Sequence, residues 1–423
     1  MRTDLSSGLK PGVSRRASLA LMAAPLIARA HDLGGDIAFG ALLSLTGDWS
    51  TLGKTSNALL NIAVAEMNAA LTAAGAKTRV RLQVEDTRLD PAACVNSLRV
   101  LAAAGASLIV GPQSSAEAAA ILPLLNSAGV ICISQGSTSS ALALPGDNLF
   151  RFVPDDTLEA QAVVALAQAE GIRTLVPCWR ADGGNQGLAA SVRRLFQAAG
   201  RTVTAGVEYP AVFPSFSGVV QQLSSQLQGA SNGPAAMYLA AFDEVVDLFH
   251  AAAAVPGLAS ARWFGSDGVA LSVPLATDPA AAAFAIQTGY ANPTLLRSDT
   301  ARAKWEPLVK TVTAGTGIEP DAFALAAYDA AWCALLARLL AGSGDVPTWK
   351  AYLSLAAETF FGATAWGRLN ANGDRAFGDF EFWALAKPNG TPQWVSVAQY
   401  ENQILQVTQS SPSRQTGRPP HRP

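Results

Sequence analysis

The sequence predicts an α/β protein built from two doubly wound, Rossmann-like lobes. Three observations carry that prediction. Short apolar runs alternate with amphipathic, alanine-rich stretches along most of the chain, the pattern of serial βαβ units and so of a parallel sheet covered on both faces. The alternation occurs twice, before and after "NLFRFVPDD". And 423 residues of 50% hydrophobic content exceed what one compact core takes up, so two cores are the simplest account.

In order, the first unit reads as the strand "IAFGALLSL", a helix from about Thr55 to Ala74, "VRLQVED", a helix near Ala92 to Ala104, "SLIVG", a helix, and "GVICIS". The second reads as a helix near Leu158 to Glu170, "RTLVPCW", a helix near Gln186 to Ala199, "TVTAGVEY", a helix near Phe216 to Leu227, "AAMYLAAF", a helix to Ala254, and "ARWFGSD". In "FALAAYDAAWCALLARLLAG", Leu325, Tyr328, Trp332, Leu335 and Leu339 recur at helical spacing while Asp329 and Arg338 interrupt the run. That reads as an amphipathic core helix, not a membrane span. Two strand patterns flank Asn389-Gly390, a hairpin signal. From residue 404 the tail "SSPSRQTGRPPHRP" and its approach lack the apolar surface that folding needs, so 404–423 is expected to be disordered.

The N-terminus reads separately. Arg15 and Arg16 precede an apolar run from Leu19 to Ile27, followed by Ala28-Arg29-Ala30, which together form an export signal over residues 1–30 with some likeness to a twin-arginine signal. The run is much shorter than the ~20 residues of a transmembrane helix. No cysteine lies near the cleavage point, so the expected mature protein is soluble, periplasmic and free of a lipid anchor.

Composition excludes several classes. Lys plus Arg number 30 against 32 Asp plus Glu, a formal charge of -2 that gives no electrostatic case for nucleic acid. Cys94, Cys132, Cys178 and Cys333 sit in apolar patterns without C-x-x-C spacing and read as buried thiols, with disulfides an alternative in an oxidising compartment. No metal or cofactor motif stands up. "GDWSTLGKTS" has five residues between Gly47 and Gly53 where a phosphate-binding P-loop has four, and reads as a strand-to-helix turn. "GASNG" formally matches a nucleophile elbow but stands before a strand, and His250, in an alanine-rich helix, is the one histidine available to a serine, so no catalytic residue is assigned.

"SLTGDWSTLG", "VEDTRLDPAACV", "IVGPQSSAEAAAI", "VICISQGSTSSALA", "NLFRFVPDD", "WFGSDG" and "GRLNANGDRAFGDFEFWAL", in this order over about 36–400, resemble the type I periplasmic binding proteins of the branched-chain amino acid and amide class. The resemblance implies two lobes joined by three crossovers, closing over a small polar or zwitterionic ligand. It also implies a monomeric receptor that serves the permease of an ABC importer, with no cofactor. A sensor docking on a membrane receptor is the alternative, and a hydrolase the remaining one. The implied crossings lie near Pro154, near Tyr290 to Pro293, and near Phe360, giving lobe one 36–153 plus 292–358 and lobe two 154–291 plus 359–400.

The resemblance also implies site residues. Ser115, Gly136 and Thr138, with Ser114 and Ser137 adjacent, fall where the family grips a ligand carboxylate. That is chemically apt, because hydroxyls and helix N-terminal amides complement an anion. Ser115 also reads as a cap of the helix beginning at Ala116. Trp49 and Leu52 fall where the family lines its side-chain pocket, although Trp49 reads equally as packing under its own loop. Phe242 matches a cleft aromatic. Asp267 matches the acid that takes the ligand's ammonium, and alternatively caps a helical turn. A family aromatic is replaced by Gly184, which reads as an enlarged or reshaped pocket with Asp182 or Trp179 compensating.

Overall fold

The computed structural model describes residues 35–408 apart from 213–214 and 343–344. The stretch read as an export signal and residues 409–423 of the expected tail lie outside the described residues.

The first unit runs β1 (Ile37–Leu43), α1 (Ser50–Ala73), β2 (Val80–Asp86), α2 (Pro91–Ala103), β3 (Leu108–Val110), α3 (Ser115–Ala128), β4 (Ile131–Ser134) and β5 (Leu149–Arg151). Its five strands are all parallel, in the order β2-β1-β3-β4-β5. The second unit runs α4 (Asp156–Ala169), β6 (Thr174–Arg180), α5 (Gly183–Ala198), β7 (Thr202–Val203), β8 (Val207–Tyr209), α6 (Ser217–Gln228), β9 (Ala235–Ala240), α7 (Val245–Ala253), β10 (Arg262–Phe264), α8 (Pro279–Thr288) and β11 (Ala291–Leu295). The chain then returns to the first lobe as α9 (Arg302–Thr316), α10 (Ala322–Ala341), α11 (Val346–Thr359) and the small hairpin β12 (Phe361–Gly362) and β13 (Ala365–Trp366). It ends on the second lobe as β14 (Phe380–Ala386), β15 (Gln393–Glu401) and β16 (Ile404–Val407). The second sheet has the order β16-β15-β14-β11-β10-β9-β6-β7, with β8 also on β6. Its last three strands are antiparallel, and β14–β15 is the hairpin read around Asn389-Gly390.

Local chemistry accounts for the helix starts. Asp90, Asp155, Asp182, Asp321 and Asp345 are N-caps whose carboxylates accept first-turn amides. The helix α10 is buried on nearly every face, against α1, α11 and the first sheet, so it is a central core helix and not the amphipathic one expected. Among its polar residues, Asp329 is held by the amides of Ala363 and Thr364 at 2.7 Å each.

Four details differ from the sequence reading. "TVTAGVEY" is two strands, because Gly206 takes φ +80 and the Gln226 side chain clamps its amide and carbonyl at 2.8 and 2.9 Å. Residues 404–407 extend the second sheet as β16 instead of opening a disordered tail, pairing Ala398 to Glu401 with Val407 to Ile404. The second crossing follows Leu295, because "ANPTL" pairs in register with β14 and stays in the second sheet despite its proline. The third follows Arg375, because 360–369 packs on the first core and Arg375 exchanges backbone bonds with Arg151 and its neighbourhood before β14 begins.

Candidate functional site

The strand ends of both sheets meet at the cleft. In the first lobe, β3 hands over to α3 through Gln113 and Ser114. Ser114 is the N-cap, in a capping box: its hydroxyl accepts from the Glu117 amide at 3.3 Å and donates to Glu117 Oε2 at 2.7 Å, which also accepts the Ser114 amide at 3.0 Å. The cap role read for Ser115 therefore belongs to Ser114. Ser115 is already helical, and its Oγ lies 3.0 Å from Ser137 Oγ and accepts the Ser139 amide at 3.1 Å. The turn after β4 is fastened the same way. Ser134 donates its hydroxyl to the Pro112 carbonyl at 2.6 Å and accepts the Ser137 amide at 2.8 Å. Gly136 is required there, since a Cβ would stand 2.6 Å from the Gln113 carbonyl oxygen and 3.1 Å from the Trp49 ring.

From the first strand-helix loop, Trp49 carries φ 58, a left-handed conformation that a bulky residue rarely adopts. It does not pack under its own loop. Its ring is buried against Phe242 of the second lobe, with centroids 4.9 Å apart, and its amide donates to Asp243 Oδ2 at 2.9 Å. Gly53 lets α1 lie on the loop, a Cβ there meeting the Ser44 carbonyl oxygen at 1.9 Å.

The second lobe supplies Asp182, Phe242 and Asp267 from the ends of β6, β9 and β10. Asp182 caps α5, accepting the amides of Gly184 and Asn185 at 3.0 and 2.9 Å and the Asn185 side chain at 2.8 Å. Gly184 sits against Ser115, where a Cβ would lie 3.4 Å from Ser115 Cβ. The N-termini of α3 and α5 thus face each other across the cleft at this glycine, and Trp179 has no part in that contact. The Trp179 indole donates to Glu208 at 2.7 Å, under Arg193.

Trp49, Ser114, Ser115, Gly136 and Thr138 from one lobe and Asp182, Phe242 and Asp267 from the other line a single cavity with an empty volume of about 310 Å³. Asn185 and Leu188, which sequence reasoning missed, complete its α5 wall. Leu52 is not on this cavity. It lines a neighbouring one of about 280 Å³, with Trp49 and Asp243. Ser137 stands behind Ser115 as its hydroxyl partner.

Residues 36–376 match the family model of the periplasmic binding protein. The chain belongs to that family. Its fold is shared with the leucine-binding protein LivK of Thermotoga maritima, at TM-score 0.70 and 20% identity over 85% of this chain and 97% of that one. A solute-binding protein of Rhodopseudomonas palustris in complex with 3,4-dihydroxybenzoic acid superposes at TM-score 0.67 and 15% identity, over 89% and 99%. An uncharacterized protein of Methanocaldococcus jannaschii is 27% identical over 369 residues, 83% of this chain and 87% of that protein.

The cleft of this periplasmic binding protein is rich in buried acids. Burial, and then the charge of Asp156, pushes the Asp267 carboxyl up to about 8. Burial pushes Asp156 up to about 7 against the pull of the Thr138 hydroxyl and Arg151. Glu159 is raised well above the usual carboxylate range by burial and by the charges of Asp267 and Asp156. Arg180, at the end of β6, reaches across the cleft to Asp48 of the first lobe. It is held by Asp48 at 2.7 Å, Glu244 at 3.1 Å and Asp182 at 3.3 Å. His250 pairs with Asp278 at 2.8 Å on the half-exposed face of α7, away from these strand ends.

Proposed function

We propose that this periplasmic binding protein is an exported, non-catalytic receptor that delivers a small ligand with an amino group to the permease of an ABC importer. One observation carries the reading. A cavity between the lobes has hydroxyls and amides on one wall, at Ser115 and Thr138, and a buried carboxyl, Asp267, on the other. That is complementary to a zwitterion, whose anion suits helix N-termini and whose cation suits a buried acid. Structural neighbours of the same fold hold isoleucine, leucine or benzoate. Of these chemistries, Asp267 favours the amino acids, because a purely anionic aromatic acid would leave that carboxyl facing like charge.

Mass spectrometry of small molecules released from the gently purified protein tests this, followed by titration of whatever is found. The expected result is an amine-bearing compound recovered unchanged after incubation, whose uptake by cells is lost when the gene is deleted. A compound without an amino group would overturn the ligand assignment. Recovery in a chemically altered form would overturn the non-catalytic reading.

A further inference from the structure

Asp267 is not alone. Asp156 and Glu159 lie three residues apart in the first turn of α4, hence on one face of the helix. That face meets the turn opening at Asp267, whose backbone amide donates to Glu159 Oε1 at 3.2 Å. Asp156 is anchored beside the cavity wall, its amide donating to the Thr138 carbonyl at 2.8 Å, and a Cβ on Gly187 of α5 would stand 3.1 Å from Asp156 Oδ2. All three carboxyls are buried. The second sheet contributes independent evidence: the Tyr238 hydroxyl, from the middle of β9 and within reach of these acids, is fully buried without a protein partner, and so is Glu159 Oε2. Buried hydrogen-bonding groups are normally satisfied, so two such vacancies beside a ligand cavity mark capacity for an N–H-rich guest.

Among the described residues no cation forms an ion pair with the group, although the charge of Arg151 reaches Asp156. Arg151 is held bidentately by Asp374 at 2.5 and 2.8 Å, with a third bond to the Ser139 carbonyl at 2.6 Å. Arg180 is surrounded by Asp48, Glu244 and Asp182. The remaining titratable groups facing the cluster, Tyr290 and the α10 cap Asp321, add no positive charge.

We propose that the Asp156–Glu159–Asp267 cluster makes the cleft select a small dicationic ligand, one that carries a second positively charged, N–H-bearing nitrogen besides its ammonium. The inference rests on the receptor reading above and narrows its ligand class. A single ammonium balances one carboxylate of the three, and the others then remain protonated. A second positive charge lets another carboxyl ionise, its proton passing to solvent, and it gains the attraction of both in a poorly hydrated site.

The test is calorimetric titration of the whole mature protein at neutral pH with L-2,4-diaminobutyrate and, separately, L-leucine. Diaminobutyrate should bind about tenfold tighter or more, with more protons released, as read from the dependence of the heat on buffer ionisation. In Glu159→Gln, and independently in Asp156→Asn, that preference should shrink severalfold while lobe closure by scattering persists. Equal or tighter binding of L-leucine, absence of diaminobutyrate binding, or a preference unchanged in both variants overturns the proposal. Binding of L-leucine alone sinks the dicationic selectivity and leaves the receptor reading standing, whereas a released compound with no amino group sinks both.

Discussion

The backbone amide of Trp49 donates to the carboxylate of Asp243 at 2.9 Å, so the first loop of one lobe is bonded directly to a strand end of the other. Around this contact lie the Trp49–Phe242 stack and the Arg180–Asp48 ion pair at 2.7 Å, both also between lobes. Together they form a latch at the mouth of the cleft, with the ligand cavity directly behind it.

Removing the latch should favour the open form. Asp243 also accepts the Ser272 hydroxyl at 2.5 Å, so Asp243→Ala frees two donors at once. The expected cost to closure is ~1–3 kcal/mol, read as a larger radius of gyration by small-angle scattering and weaker ligand affinity. Unchanged dimensions in the variant would mean that the Trp49 amide contact does not hold the lobes together.

Ser115 and Thr138 should each matter to the ligand's anionic end. Ser115→Ala removes one hydroxyl from the cavity wall and also frees the Ser139 amide, so both affinity and stability should fall, affinity by ~1–3 kcal/mol. Thr138→Val keeps the shape and removes only the hydroxyl, which also bonds the buried Asp156, so affinity should fall together with a smaller change in stability. Calorimetry and thermal melting on the two variants separate these effects. Full affinity in both would reduce the hydroxyls to fasteners of the turn.

Much of the fold was legible because strand and helix periods alternate cleanly from Ile37 to Phe264. The chain misleads where tertiary pairing decides. "ANPTL" carries a proline and looks like a linker, yet β14 holds it in the second sheet, and nothing local in 404–407 announces a strand that exists by pairing with β15. The same holds for the site. Ser115, Gly136, Thr138, Phe242 and Asp267 were found from motifs, and all line the cavity. Asp48, Arg180, Asp243, Asp156 and Glu159 were not, because in sequence "GDW", "WRAD", "FDE" and "DDTLE" are charged residues of loops and helix starts with no distinguishing motif. The meeting of the two lobes makes the latch, and the packing of α4 against the turn after β10 within the second lobe makes the carboxyl cluster.

The carboxyl cluster predicts an unusual pH dependence. Asp156, Glu159 and Asp267 have folded values raised above their unfolded ones, two of them to about 7 and about 8. The folded state therefore binds more protons than the unfolded state, and stability falls as pH rises. The loss should run from the ordinary carboxylate range to about pH 8. Asp156 and Glu159 on α4 and Asp267 after β10 belong to the same lobe, so opening of the cleft does not separate them. Denaturant titrations of the ligand-free protein at about pH 5 and about pH 8 should show the higher midpoint at the lower pH, and Glu159→Gln should flatten the difference. A protein more stable at the higher pH would contradict the cluster's protonation.

Asp267 gives the sharpest separation of recognition from architecture. The turn it opens has Ser266 as its N-cap and no side-chain cap bond, and the Asp267 carboxyl accepts backbone amides within that turn, Gly268 among them. Its residue lines the cavity together with Ser115, and its carboxyl faces other acids, with no cation as partner among the described residues. Asp267→Asn keeps the shape and removes one ionisable group from a crowd of three. Ligand-free stability should therefore hold or rise, since like-charge crowding is relieved. Affinity for an amine-bearing ligand should move the other way. Losing one side of a buried charge pair costs ~2–5 kcal/mol, so the dissociation constant should rise by about tenfold or more. Calorimetry with the compound recovered from the protein, beside denaturant titration of the same sample, reads both numbers. A drop in stability with affinity intact would assign Asp267 to the framework of the second lobe and leave the ligand's cation to Asp156 and Glu159.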